Sequence, residues 1–175
     1  IGRYYQRAFE QLLADPDASH FAVPLLEAQE IAMLRDERNA TDASYERQPV
    51  HRLIEAHAHR APEAVAVVCG EARLSYGQLD ARANRLSRYL IEAGVELGSR
   101  VGLHLARSVE LVVAVLGVLK AGGCYVPLEP GLPRERLSAM AADAGIGWVL
   151  LMSEGLEGLP LGGVDVVCLD GAGSD

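Results

Sequence analysis

Residues 108–136 read SVELVVAVLGVLKAGGCYVPLEPGLPRER, and the order of residue types within them decides the fold. Ser108 is a strong N-cap, and Glu110 falls in the first turn, where the unpaired amides of a helix favour an acid. Leu111, Val112, Val113, Val115, Leu116, Val118 and Leu119 follow with almost no polar interruption. A helix apolar on every side gains nothing from contact with water and belongs inside a domain. At about a dozen residues it is short of the roughly 20 needed to span a bilayer. Gly122 and Gly123 stop it, because glycine takes the left-handed turn that ends helices. Cys124 to Leu128 then predicts a short buried strand, closed by Pro127 and Pro130. Helix, paired glycines, strand and proline-rich turn make an α/β crossover.

The flanks extend the same alternation. Val101-Gly102-Leu103-His104-Leu105 predicts a buried strand feeding the apolar helix. Beyond the prolines, Pro133 at the first helical position and Glu135 in the first turn start a helix through Leu137, Met140 and Ala141, ending at Gly145. Gly147 to Leu151 predicts the next strand and Val164 to Leu169 another, separated by the glycine-rich stretch Gly155–Gly163. That stretch has neither a G-x-x-x-x-G-K-[ST] nor a G-x-G-x-x-G pattern, and no Lys or Arg close by to offset phosphate charge, so it reads as a surface connection. Strands alternating with helices imply an α/β fold with a mostly parallel sheet and packed helices, wound right-handed.

Upstream, Pro49 suits the first turn of a helix through Val50, Leu53, Ile54 and His57 that ends near Ala61-Pro62. His51, His57 and His59 lie six and two residues apart. Metal ligands sharing one helix face sit at i and i+4, so these read as solvated helix histidines. Ala64–Cys69 and Ala72–Ser75 flank Gly70-Glu71 as two short strands about a hairpin turn. Ser75-Tyr76-Gly77-Gln78 has the pattern of a capping box. The helix it starts carries Leu79, Ala83, Leu86 and Leu90 on one side, with Arg82, Arg85 and Arg88 turned to water.

Two of these stretches resemble core motifs of the adenylation domains of nonribosomal peptide synthetases. Leu119-Lys120-Ala121-Gly122-Gly123-Cys124-Tyr125-Val126-Pro127-Leu128-Glu129-Pro130 is similar to the second motif, L-K-A-G-x-A-Y-V-P-L-D-P, departing at Cys124 and Glu129. Leu74-Ser75-Tyr76-Gly77-Gln78-Leu79, with Ala83-Asn84-Arg85-Leu86 after it, is similar to the first, L-T/S-Y-x-E-L and A-N-R-L-A. Gln78 stands where Glu is usual, which keeps the cap and loses a charge. The resemblance implies that residues 49–175 are the N-terminal portion of the large N-terminal subdomain of an adenylate-forming enzyme.

Residues 1–48 read differently. Tyr4, Tyr5, Phe9, Leu12 and Leu13 fall at helical spacing, and Asp15-Pro16-Asp17 terminates that helix. Leu25 to Leu34 predicts a second amphipathic helix, with Leu26, Ile31 and Leu34 on its apolar side. Neither helix finds a partner within the segment, so both apolar faces must pack on something outside it. The order of pieces resembles the close of a condensation domain over residues 1–35 (an epimerization domain ends similarly) and a connector over residues 36–48. Arg38-Asn39-Ala40-Thr41-Asp42-Ala43-Ser44-Tyr45 is the part of the connector most like the family's. The chain lacks a start methionine and opens in mid-pattern, as an excerpt of a multidomain protein would.

Composition bounds what remains. Half of the 175 residues are apolar and 23% are charged, the balance of an ordinary globular protein. The net charge is −8; Lys120 is the single lysine, and from Leu137 onward six acids face no Lys or Arg. Phosphate-rich surfaces demand clustered cations, which argues against a nucleic-acid or membrane partner. Ile1-Gly2-Arg3-Tyr4-Tyr5 is not followed by the apolar run of a secretory leader. Cys69, Cys124 and Cys168 are odd in number, far apart and each inside an apolar run, which reads as buried reduced thiols in a cytoplasmic protein. Lys120, at the end of a buried helix, reads as a snorkelling side chain or a partner of the helix dipole.

No catalytic, cofactor-binding or metal-binding residue is expected in this chain. What the resemblance implies of its parent is an ATP- and Mg²⁺-using ligase of secondary-metabolite biosynthesis. Such an enzyme activates an amino acid to its aminoacyl-AMP and loads it as a thioester on the phosphopantetheine of a peptidyl carrier protein. Its implied partners are the condensation domain and the rest of the adenylation domain in the same polypeptide. Part of an acyl-CoA synthetase-like ligase, or a purely structural interdomain platform, are the other readings.

Overall fold

The computed structural model describes residues 2–17, 19, 24–155 and 162–171. The chain divides into two compact units, Ile1–Arg47 and Gln48–Asp175.

The first unit holds helix α1 (Gly2–Ala14) and the short α2 (Ala28–Ala32), which runs into a π-helical turn at Met33–Glu37. The second amphipathic helix is therefore not the single regular run that its periodicity predicts. The wider π turn accommodates an extra residue and rotates Leu34 off the stripe of Ile31. Glu30 joins the pieces: its carboxylate accepts from the Glu27 amide at 3.1 Å and from the Tyr4 hydroxyl at 2.7 Å. None of these elements buries a residue fully, and Tyr5, Phe9, Leu12 and Leu13 are exposed.

The second unit runs α3 (Val50–Arg60), β1 (Val65–Cys69), β2 (Ala72–Ser75), α4 (Tyr76–Glu92), β3 (Arg100–His104), α5 (Val109–Lys120), β4 (Cys124–Pro127), α6 (Arg134–Ala144), β5 (Trp148–Leu151) and β6 (Asp165–Cys168). β1 and β2 form an antiparallel hairpin about Gly70, whose φ of 58° is the left-handed geometry the turn requires. The other strands form one parallel sheet in the order β4-β3-β5-β6. Chain order moves from β3 outward to β4, then crosses back to β5 and on to β6, so the direction of winding reverses between β3 and β5.

Strand alternation sorts the core into two faces. Val101 and Leu103 of β3, Leu150 of β5 and Val167 of β6 pack with Ala114 and Val118 of α5 and Leu90 of α4. Val149 and Leu151 pack on the other face with Leu137 and Ala141 of α6, Ile146 and Leu128. α5 is thus sandwiched, because a third cluster places its Val113 and Leu116 against Leu79 and Ala83 of α4, with Ile54 and the hairpin's Val67 and Leu74 over them. This is the interior position that an all-round apolar helix demands.

The caps form as the sequence predicts. Ser75 accepts from the Gln78 amide at 3.3 Å while Gln78 Oε1 accepts from the Ser75 amide at 3.0 Å, and Ser108 accepts from the Leu111 amide at 3.2 Å. Pro49 and Pro133 sit one position earlier than expected, as N-caps with extended ψ of 142° and 140°. The cysteines are not buried: Cys69 and Cys124 are exposed and Cys168 is half-buried. The reason is placement. β4 is an outer strand of the described sheet, so of the expected buried run only Leu128 is fully enclosed. The middle of the glycine-rich stretch, 156–161, lies outside the described residues.

Candidate functional site

In an open parallel sheet the strands' carboxyl ends face one edge, and a crevice opens there where the winding reverses. Here that point lies between His104, the last residue of β3, and Leu151, the last of β5, which are register partners. His104 Nδ1 lies 2.9 Å from the Leu128 carbonyl oxygen. A carbonyl only accepts, so Nδ1 carries a proton and, in the neutral ring, Nε2 keeps its lone pair. This bond fastens the turn after β4 to the end of β3. On the far side, the Asp170 carboxylate accepts from the Ser153 hydroxyl at 2.8 Å and from the Ser153 amide at 2.8 Å, tying the loop after β5 to that after β6. The Ser153 hydroxyl, and then its amide, hold the Asp170 carboxyl below the usual carboxylate range. Gly155 closes over the histidine, and a Cβ there would lie 3.5 Å from its Cδ2. These bonds brace the edge. No nucleophile with an adjacent base is assembled by them.

The second polar constellation lies on the helical side of the sheet, around Lys120. Its ammonium, 4% exposed, donates to Asp80 Oδ1 at 2.6 Å, Asn84 Oδ1 at 2.7 Å and Glu55 Oε1 at 2.8 Å. Arg52 Nη1 donates to Glu55 Oε2 at 2.9 Å, and Asn84 Nδ2 to Asp80 Oδ2 at 2.9 Å. Lys120 is therefore neither snorkelling nor a free partner of the helix dipole. It is the hub joining α3, α4 and α5, and the hydrogen bond from Lys120, reinforced by Arg52, holds the Glu55 carboxyl below its usual range. Asp80 and Asn84, spaced i and i+4 on one side of α4, were the one available signal. Their partner comes from far along the chain.

The other residues singled out by the sequence fall apart in space. His57 stacks on Tyr76, ring centroids 4.3 Å apart, and is half-buried rather than solvated; His51 is half-buried and His59 exposed. Arg82 reaches Glu110 at 3.3 Å, while Arg85 and Arg88 stay exposed. Among the described residues no group of three His, Cys, Asp or Glu side chains is placed to hold a metal. No described helix is long and apolar enough to cross a membrane.

A parallel sheet with helices on both faces, its winding reversed between β3 and β5, makes this an α/β protein of the doubly wound kind. The chain belongs to the family of AMP-binding enzymes, whose description matches residues 54–171. A linear gramicidin synthase polypeptide of Brevibacillus parabrevis is 44% identical over 168 residues, which is 95% of this chain and 2% of that protein. Among solved structures, a nonribosomal peptide synthetase bound to α-methyl-L-serine-AMP superposes with a TM-score of 0.76 at 31% identity, over 95% of this chain and 19% of that one. A four-domain nonribosomal peptide synthetase bound to AMP and glycine gives 0.79 at 25% identity, over 98% of this chain and 13% of that one. The fold is that of the N-terminal part of an adenylation domain.

Proposed function

We propose that this chain spans a domain junction of a nonribosomal peptide synthetase. Residues 1–35 close a condensation or epimerization domain, residues 36–48 connect, and residues 49–175 begin the adenylation domain. The completed domain activates an amino acid: its carboxylate attacks the α-phosphorus of ATP, the bond to pyrophosphate breaks, and aminoacyl-AMP forms. A carrier domain's phosphopantetheine thiol then takes the aminoacyl group as a thioester and AMP leaves. Mg²⁺, brought with the nucleotide, offsets the phosphate charge. The residues of this chain supply the sheet and the helices packed on it, and the reacting groups come from the remainder of the parent.

The observation that carries this reading is the segment 119–130. Its lysine, paired glycines and proline-closed strand form the end of α5, the turn after it and β4, which pairs in parallel with β3, within the range matched by the AMP-binding family. Similarity to gramicidin synthases supports it, although the chain spans only a small share of their length. ATP–pyrophosphate exchange tests it. The parent should exchange in the presence of one amino acid, and the 175-residue chain alone should not. Exchange by the chain alone would overturn the assignment of roles, and activation of a fatty acid with transfer to CoA would move the parent to the acyl-CoA ligases.

A further inference from the structure

We infer that the free edge of β6 is the seam at which this chain joins the remainder of its domain, taking a fifth strand parallel to β6. The inference rests on the reading of residues 49–175 as the start of an adenylation domain, and the occupant is a strand from the rest of that domain.

The sheet has two outer strands, β4 and β6, and their edges differ in chemistry. Cys124 and Leu128 donate their amides to the Ser99 and Leu103 carbonyls, at 2.8 and 2.9 Å. Backbone groups alternate sides along a strand, so Tyr125 and Pro127 face away from β3. Proline has no N–H, which leaves Tyr125 the one outward amide within β4 and stops a ladder from growing there. β6 is built otherwise. The Asp165 and Leu169 amides donate to the Gly147 and Leu151 carbonyls, each at 2.9 Å. Val166 and Cys168 therefore turn their amides outward, and among the described residues no strand pairs with them. Folded proteins guard an exposed edge with proline, lysine or a bulge. Asp165-Val166-Val167-Cys168 has no proline or basic residue, and its register on β5 is unbroken.

The side chains beside this edge also lack cover. Val166 shares the α6 face with its register partner Val149, yet it is 46% exposed while Val149 is enclosed. On the opposite face Val167 and Leu169, with Leu86 and Tyr89 of α4 and Val113 of α5, line a groove of about 180 Å³. A strand apolar on both faces covers Val166 on one side and this groove on the other, as the strands of a parallel sheet do. A parallel return takes a crossover of about a dozen residues or more, and the run from Leu169 to Asp175 is too short to make one. The strand therefore comes from the rest of the domain.

The test is hydrogen exchange of the parent protein and of the 175-residue chain, read at single amides by fragmentation in the mass spectrometer. In the parent, Val166 and Cys168 should exchange at least about tenfold more slowly than Tyr125, as amides bonded to a neighbouring strand do. In the 175-residue chain that difference should vanish. Proline is tolerated where a strand's amide faces solvent. Val166→Pro should therefore leave the melting temperature of the 175-residue chain almost unchanged and lower that of the parent. Fast exchange of Val166 and Cys168 in the parent, or protection of Tyr125 in their place, would overturn the proposal. Protection in the parent that grows with its concentration would assign the edge to a second copy and overturn it equally. Protection in a parent that activates a fatty acid instead of an amino acid would sustain the seam and overturn only the reading of function.

Discussion

Lys120 carries its charge at the buried end of an apolar helix, and its three donors meet three acceptors. The favourable Coulomb and hydrogen-bond terms must offset desolvation of the ammonium, and they do so only while the partners remain. Lys120→Met keeps the length of the side chain and removes the charge, leaving Glu55 and Asp80 to face each other. Removing one member of a buried pair costs about 3–5 kcal/mol; Glu55 and Asp80 stay about a fifth exposed, so the loss expected from urea unfolding is nearer 2–3 kcal/mol. Adding Glu55→Gln and Asp80→Asn to Lys120→Met should recover part of it, because the orphaned charges go too. The same network fixes a pH dependence. The Glu55 carboxyl is held below its ordinary value when folded, so its contribution is complete above the ordinary glutamate value and is lost as pH falls through the folded one. The urea midpoint should therefore drop on the acid side of about pH 4.3, and more gently in Glu55→Gln than in the parent chain.

At the scale of elements, α4 and α5 approach at Gly117, where a Cβ would lie 2.7 Å from Leu86 Cδ2 and 3.0 Å from its Cβ. Gly117→Ala gains about 1 kcal/mol of helix propensity. It also forces the helices apart at a packed contact, a cost of about 1–3 kcal/mol. Packing wins, so the variant should melt lower, and Leu86→Ala added to it should restore less than its own cavity takes away. Ser108→Ala, which strips the α5 cap, should cost about 1 kcal/mol by the same denaturation. These elements were legible in the sequence because their signals are local: a cap three residues from its amide, a glycine at a turn, an apolar run without interruption. Sheet position was not. Cys124 sits in an apolar run, and only the order β4-β3-β5-β6 reveals that its strand lies outermost. The hub was illegible for a related reason. Periodicity places Asp80 and Asn84 on one side of α4, but no pattern in the sequence pairs them with a lysine 40 and 36 residues onward.

Taken whole, the chain is two units of unequal self-sufficiency. The second encloses Leu90, Leu128, Leu150, Leu151, Val101, Val118 and Val149 almost completely, whereas no described element of the first buries a residue. Hydrophobic burial is the main term opposing chain entropy, so opening should be far cheaper in the first unit than in the second. Between them the backbone is uncommitted: every residue from Arg38 to Val50 is exposed, and past Thr41 no backbone hydrogen bond is made among the described residues until the first turn of α3. A protease must draw several residues into an extended strand, which the residues past Thr41 permit at no cost in native bonds and those around Arg38 permit at the cost of the few bonds that close the π-helical turn. Trypsin should therefore cut the native chain after Arg38 or Arg47 before any arginine inside α3 or α4, leaving a product that begins at Asn39 or Gln48. If instead both sites outlast Arg60 in the parent protein, the connector is held by a neighbour, and residues 1–48 act as a docking platform rather than a tether. Hydrogen exchange separates the two outcomes from mere slow cleavage. A tether leaves the amides of Asp42–Gln48 exchanging at the rate of an unstructured peptide, while a platform protects them together with those of α1.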